Sequence, residues 1–167
     1  MITLRLLTEY DVDFVTRLAE NEKWGYLPCD IKRYMEYDPR GCFIAEVDGK
    51  QAGHIFSVRY DKLGWIGLLI VKAEYRRKNI GITLTKKAIN YLFNCGVETT
   101  RLEAVPEIAD LYRQLGFVDE YDSLRFIKIH KKAIRPSSQC LEHIKKKNLK
   151  NLQNSMPNIL EPIAVKS

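Results

Sequence analysis

No stretch of this 167-residue chain approaches the roughly 20 consecutive apolar residues that a membrane-crossing helix needs. Histidine is scarce, and His54, His130 and His143 are too scattered for metal-ligand spacing, so no metal is expected. The four cysteines, Cys29, Cys42, Cys95 and Cys140, form no C-x-x-C pair. Neither a disulfide framework nor a zinc site is indicated, and they read as free, packed thiols. No activated cysteine or serine motif is visible, which turns the reading away from a covalent enzyme intermediate. Residues 1–7 lack the charged start and cleavage site of a signal peptide, so a cytoplasmic location is expected.

An excess of one charge is also missing from most of the chain. Through residue 130 the acidic and basic side chains balance, and the net +6 comes from the last 37 residues. There Lys131, Lys132, Arg135, Lys145, Lys146, Lys147, Lys150 and Lys166 face only Glu142 and Glu161. A neutral body with a basic extension argues against a nucleic-acid-binding core, and the lysine run reads as a solvated face. What the chain does have is 46% apolar residues, enough for a core, at a length that fits one domain.

The patterning predicts a strand over residues 2–7 and a helix opened by Thr8 and Asp11, with Phe14, Val15, Leu18 and Ala19 as its apolar stripe. Asp30 is read as the cap of a second helix that Pro39 stops. Residues 41–47 and 51–60 read as strands joined by Asp48-Gly49, a hairpin signal. Residues 65–71, almost wholly apolar, read as a central strand. A helix from Ile80 to Cys95-Gly96 places Ile80, Leu84, Ala88, Tyr91 and Leu92 on one face. A strand over 99–105, a short helix over 108–115, and strand segments at Val118 and 124–129 complete a mixed α/β order. From Pro136 the character changes to a lysine-rich stretch too short for its own core.

The most informative segment is residues 71–84, Val-Lys-Ala-Glu-Tyr-Arg-Arg-Lys-Asn-Ile-Gly-Ile-Thr-Leu. It runs from a strand end through a basic turn into a helix N-terminus. Such a terminus leaves N–H groups unpaired and carries about half a positive charge. Arg76, Arg77 and Lys78 add full charges, and Gly81 lets an anion approach the backbone closely. On these grounds alone the segment is an anion site or a solvated basic turn.

That segment, together with Leu111-Tyr112-Arg113-Gln114-Leu115-Gly116-Phe117 downstream, resembles the GNAT superfamily of acetyl-CoA-dependent N-acetyltransferases over about residues 1–130. The family's phosphate loop, Arg/Gln-x-x-Gly-x-Gly/Ala, corresponds to Arg76-Arg77-Lys78-Asn79-Ile80-Gly81, with Asn79 in place of the first glycine. Asparagine is the non-glycine residue that best tolerates a left-handed backbone. The resemblance implies a GNAT fold, a mixed central sheet splayed between its fourth and fifth strands and flanked by helices. It implies acetyl-CoA as co-substrate, its pantetheine arm pairing with the backbone of Leu69, Ile70 and Val71. The pyrophosphate would lie on Arg76, Arg77, Lys78, Asn79, Ile80, Gly81 and Ile82.

The implied chemistry is acetyl transfer to a primary amine, small-molecule or peptide, by direct attack. Tyr112 matches the tyrosine that commonly protonates the departing thiolate, and Glu103 a strand position that serves some members as base. The implied acceptor side is Glu22, Trp24 and Tyr26 between the first helices, with His54 on the neighbouring strand. A catalytically reduced CoA-binding module acting through partner contacts stays open beside the enzyme reading, as does a homodimer. Residues 64–67 and 115–121 look most like bacterial members carrying a second C-terminal domain, so residues 131–167 read as a basic tail that is a remnant of one.

Overall fold

The computed structural model describes residues 1–124 and 126. Five strands form one sheet in the order β1-β2-β3-β4-β5: β1 (Ile2–Leu6), β2 (Cys42–Val47), β3 (Lys50–Tyr60), β4 (Leu63–Val71) and β5 (Thr99–Leu102). The first four are antiparallel neighbours, and β5 joins β4 in parallel. Four α-helices flank the sheet: α1 (Val12–Asn21), α2 (Pro28–Tyr37), α3 (Ile80–Asn94) and α4 (Ala109–Gln114). The turn between β2 and β3 has positive φ at both Asp48 and Gly49, which fits the twist of a tight hairpin.

The sheet separates two cores. On one face α1 and α2 bring Val12, Phe14, Val15, Leu18, Ala19 and Ile31 against Cys42, Ile44, Phe56, Leu68 and Ile70. On the other, Ile80, Leu84, Ala88 and Leu92 of α3 cover Phe43, Ala45, Ala52, Ile55 and Ile66. Those four recur every fourth residue, which is why one stripe of α3 is sealed while its opposite side carries lysines. The helix stops where Gly96 takes φ 82°. Residues Met1–Ser123 form one compact unit.

Several boundaries differ from the sequence expectation, each for a local reason. Before α1 a short 3-10 turn, Glu9–Asp11, receives the chain, and the Thr8 amide and hydroxyl both donate to Asp11 at 2.8 Å. In α2 the first residue is Pro28, so Asp30 sits in the first turn and accepts from the Leu27 amide at 3.0 Å rather than occupying the cap. The strand β5 ends at Leu102, three residues early, as the chain turns toward the 3-10 segment Pro106–Ile108. Val118 belongs to no strand. The expected strand over 124–129 lies, but for two residues, outside the described ones, as does the basic tail.

Two features set β4 apart from the other strands. Its pairing with β5 ends at Ile66 opposite Leu102, so residues 67–71 run on with no strand beside them on that side among the described residues. On the β3 side the register slips between His54 and Phe56, and Leu68 takes φ 49° within the strand. This bulge adds one residue and reverses which side chains face α3. Ile66 lies in the α3 core, whereas Leu68 and Ile70 lie in the α1–α2 core.

Candidate active site

Where β4 outlasts β5, a cleft of about 710 Å³ opens. One wall is Leu69, Ile70 and Val71 of β4, and the other is Val105, Glu107, Ile108 and Leu111 before and within α4. Tyr75, Arg76, Arg77, Asn79, Ile80, Gly81 and Ile82 close one end, and Glu22 and Trp24 reach it from the loop after α1.

The closed end is built by backbone. Asn79 adopts φ 59° and ψ 10° as the residue before α3, and Arg77 shares that positive φ. An L-residue pays about 1–2 kcal/mol for this conformation, least for asparagine. The first helical bond runs from the Thr83 amide to the Asn79 carbonyl at 3.0 Å. Among the described residues the amides of Arg77, Lys78, Asn79, Ile80, Gly81 and Ile82 donate to no carbonyl. A Cβ on Gly81 would lie 3.7 Å from Leu111 Cδ1, 3.9 Å from Leu69 Cδ2 and 4.0 Å from Val71 Cγ2. The glycine is therefore not demanded by its protein neighbours, and its missing side chain leaves the amides uncovered. Free donors, a helix N-terminus and an open Cβ position suit a phosphate or pyrophosphate.

The three cations of the turn behave differently. Arg77 lines the cleft. The Lys78 ammonium sits over the Tyr75 ring, 5.4 Å from its centre, and Lys72 lies on the same ring at 5.6 Å. Arg76 is engaged twice: its Nε donates to the Val71 carbonyl at 2.9 Å, and its Nη2 is paired with the Glu22 carboxylate.

Tyr112 and Glu103 line a neighbouring cleft of about 400 Å³, together with Trp65, Arg101, Phe117 and residues 118–123. Leu111 and Tyr112 are successive residues of α4, so that helix borders both clefts. The Tyr112 ring meets Phe117 edge-on at 5.9 Å, and burial pushes its hydroxyl up to about 12. It therefore carries its proton at any physiological pH. Glu103 is exposed, and the Ser123 hydroxyl donates to it at 3.4 Å. Arg101 makes a two-pronged pair with Glu120 at 2.6 and 2.9 Å, and Arg113 bridges Asp110 and Asp119.

On the expected acceptor side, Glu22 and Trp24 line the same cleft as Leu69, Ile70, Val71 and the basic turn, whereas Tyr26 packs against Tyr34 at 6.4 Å. His54 lines neither cleft. It is wholly buried between Phe14 and Phe56 at 6.4 and 5.7 Å, and neither ring nitrogen has a hydrogen-bond partner. Burial pushes it down to about 3, so the ring is neutral. Sequence reasoning did not single out Tyr75, Val105, Glu107, Ile108 or Leu111. Tyr75 carried the one available signal, an aromatic placed between a strand end and a cationic turn. Among the described residues no cysteine lines either cleft, and Cys42 is buried, its thiol pushed up to about 12 by that burial.

The chain belongs to the acetyltransferase (GNAT) family, whose model matches residues 5–117. It is 26% identical to the holothin acyltransferase of Pseudoalteromonas sp. (strain SANK 73390), over 72% of this chain and 40% of that protein. It is 30% identical to N-alpha-acetyltransferase MAK3 of Arabidopsis thaliana, over 66% of this chain and 62% of that protein. The chain spans between 35% and 62% of the lengths of the curated relatives it matches. Among solved structures, Ard1 from Thermoplasma volcanium superposes with a TM-score of 0.67 at 22% identity, covering 72% of this chain and 84% of that one. A Clostridium acetobutylicum protein solved with acetyl-CoA gives 0.61 at 14% identity, covering 76% and 96%. These two likenesses speak for the fold.

Proposed function

We propose that this protein transfers an acetyl group from acetyl-CoA to a primary amine by direct attack. The observation that carries the reading is the closed end of the larger cleft, where the free amides of residues 77–82 meet the unpaired edge of β4. A phosphorylated, strand-like arm fits this combination: phosphate on the helix N-terminus, amide groups along residues 69–71. Acetyl-CoA supplies the activated acetyl thioester. The chain's own residues would orient it, with Arg77 beside the phosphates and Leu69, Leu111 and Ile108 excluding water from the arm.

Acetyl transfer needs an amine free of its proton and a proton for the departing thiolate. Tyr112, held protonated by burial, is assigned the second task, and Glu103 at the rim of the adjoining cleft the first. The names of the relatives, N-alpha-acetyltransferase among them, support an amine acceptor. The placement of Tyr112 and Glu103 in the adjoining cleft favours one second reading, a CoA-binding module with reduced catalysis.

Thiol release from acetyl-CoA separates the two. The acceptors are 2-phenylethylamine, spermidine and a peptide with a free N-terminal methionine. Release that depends on one of these amines supports the enzyme. Saturable CoA binding with no release above the buffer rate for any of them supports the binding module. Absence of CoA binding at millimolar concentration overturns both.

A further inference from the structure

The pair between Glu22 and Arg76 ties the loop after α1 to the basic turn at one end of the larger cleft. Glu22 directly follows α1, two positions before Trp24, and Arg76 opens the turn that carries the free amides. They are 54 residues apart in sequence and both line the same cleft. Arg76 is held from a second direction by the Val71 carbonyl at the end of β4. The guanidinium is thus already occupied by an anion, the Glu22 carboxylate, at the edge of a site whose backbone is arranged for another anion.

Two anions compete for one cation there. A pyrophosphate carries more charge than a carboxylate and also gains the amides of residues 77–82, which Glu22 does not reach. We infer that a CoA pyrophosphate displaces Glu22 from Arg76, and that the freed carboxylate then serves as the counter-ion for a cationic acceptor beside Trp24. The inference rests on the acetyl-CoA reading above and deepens it by coupling donor binding to the charge that Glu22 presents to the acceptor. Glu22 is a specificity residue that changes partner, because its carboxylate is neutralised by Arg76 until the donor arrives. An exposed pair of this kind is worth a factor of about five at most, so the exchange is within reach of substrate binding.

The competing picture gives the opposite sign. If Glu22 merely held Arg76 in place for the phosphate, removing its charge would loosen CoA. The test is isothermal titration of the full chain with CoA for wild type, Glu22→Gln, Arg76→Gln and the double variant, at low and high salt. Glu22→Gln should tighten CoA about two- to five-fold at low salt, with the gain shrinking at high salt. Arg76→Gln should weaken CoA, and in that background Glu22→Gln should give no further tightening. With the fastest amine of the panel above, Glu22→Gln should raise KM several-fold while kcat changes little. Matching melting temperatures show that the variants fold. Unchanged or weaker CoA binding by Glu22→Gln overturns the exchange while leaving the donor reading intact. Tighter CoA with an unchanged amine KM overturns the acceptor role. A wild-type protein that does not bind CoA removes the donor reading and this inference together.

Discussion

Gly81 and His54 show how differently single residues can be spent in one small domain. A Cβ at Gly81 would meet its nearest protein atom only at 3.7 Å, an ordinary contact, so a larger side chain there tests the cleft and not the fold. Gly81→Val is expected to keep the melting temperature within a few degrees, since β-branching costs a helix well under 1 kcal/mol relative to alanine. It should nevertheless weaken CoA at least ten-fold by placing methyl groups over the free amides. Titration calorimetry beside thermal unfolding decides: equal loss of stability and binding would mean that the residue serves packing alone. His54 has no such exposed face. Because the folded chain resists its protonation until about pH 3 while a free histidine takes up a proton near 6.5, unfolding is favoured as pH falls through that window. Its contribution is intact above pH 6.5 and drops by about 2 kcal/mol between pH 7 and pH 5. His54→Leu should flatten that acid limb and cost little at pH 7, because it removes two unpartnered buried nitrogens. Urea unfolding at the two pH values measures it, and an unchanged slope would show that the ring is hydrated or paired in solution. Asp11 acts in a lower window. Burial pulls its carboxyl upward, but hydrogen bonds from Arg5, Thr8 and Gln51 outweigh this and hold it well below the usual range, so its share is lost only under about pH 4.

Among the elements, the two helical layers are linked through one buried carboxylate. Asp38 follows α2 on one face of the sheet, and Tyr91 projects from α3 on the other. The Tyr91 hydroxyl donates to Asp38, the Arg59 amide donates to its second oxygen at 3.2 Å, and the Arg59 guanidinium lies 3.4 Å away. Burial and the adjacent carboxylate both push the Tyr91 hydroxyl well up, so it remains a donor at every working pH. Tyr91→Phe should cost about 1–2 kcal/mol, because the carboxylate stays buried while losing one of its donors. Combined with Asp38→Asn, the loss should fall short of the sum of the two single losses. Additive values from chemical denaturation would mean that the contact contributes nothing to the joining of the layers. The link was hidden in the sequence, since nothing in the spacing of Asp38 and Tyr91 announces a contact around the end of a sheet. The elements that it joins were legible. Every fourth residue of α3 is apolar, Gly96 stops it, and Asp48-Gly49 turns the hairpin, all of them local signals. The bulge at Leu68 was not, because leucine carries no mark of a positive φ and the slip is imposed by pairing with β3. Likewise β5 ends early because partnership, not composition, decides where a strand stops.

For the molecule as a whole, the question is whether two adjoining clefts act as one site. The family motif pointed to the turn at residues 76–82, since a phosphate held there would need only consecutive backbone amides and an open Cβ position. It could not fix the direction of Tyr112, which depends on how α4 is rotated about its own axis. In the structure Ile108 and Leu111 line the larger cleft, while Tyr112 and Ala109 border the other. If the clefts cooperate, Tyr112→Phe keeps the edge contact to Phe117 and the fold, leaves the CoA dissociation constant unchanged, and lowers kcat about 100-fold or more. The pH–rate profile supplies the second readout. A hydroxyl that titrates near 12 stays protonated through pH 10, so the wild-type rate should rise with deprotonation of the amine and show no alkaline fall below that value. A fall near pH 8 or 9, or a variant as fast as wild type, would assign the proton to another group, and water in the Glu103 cleft would be the next one to test.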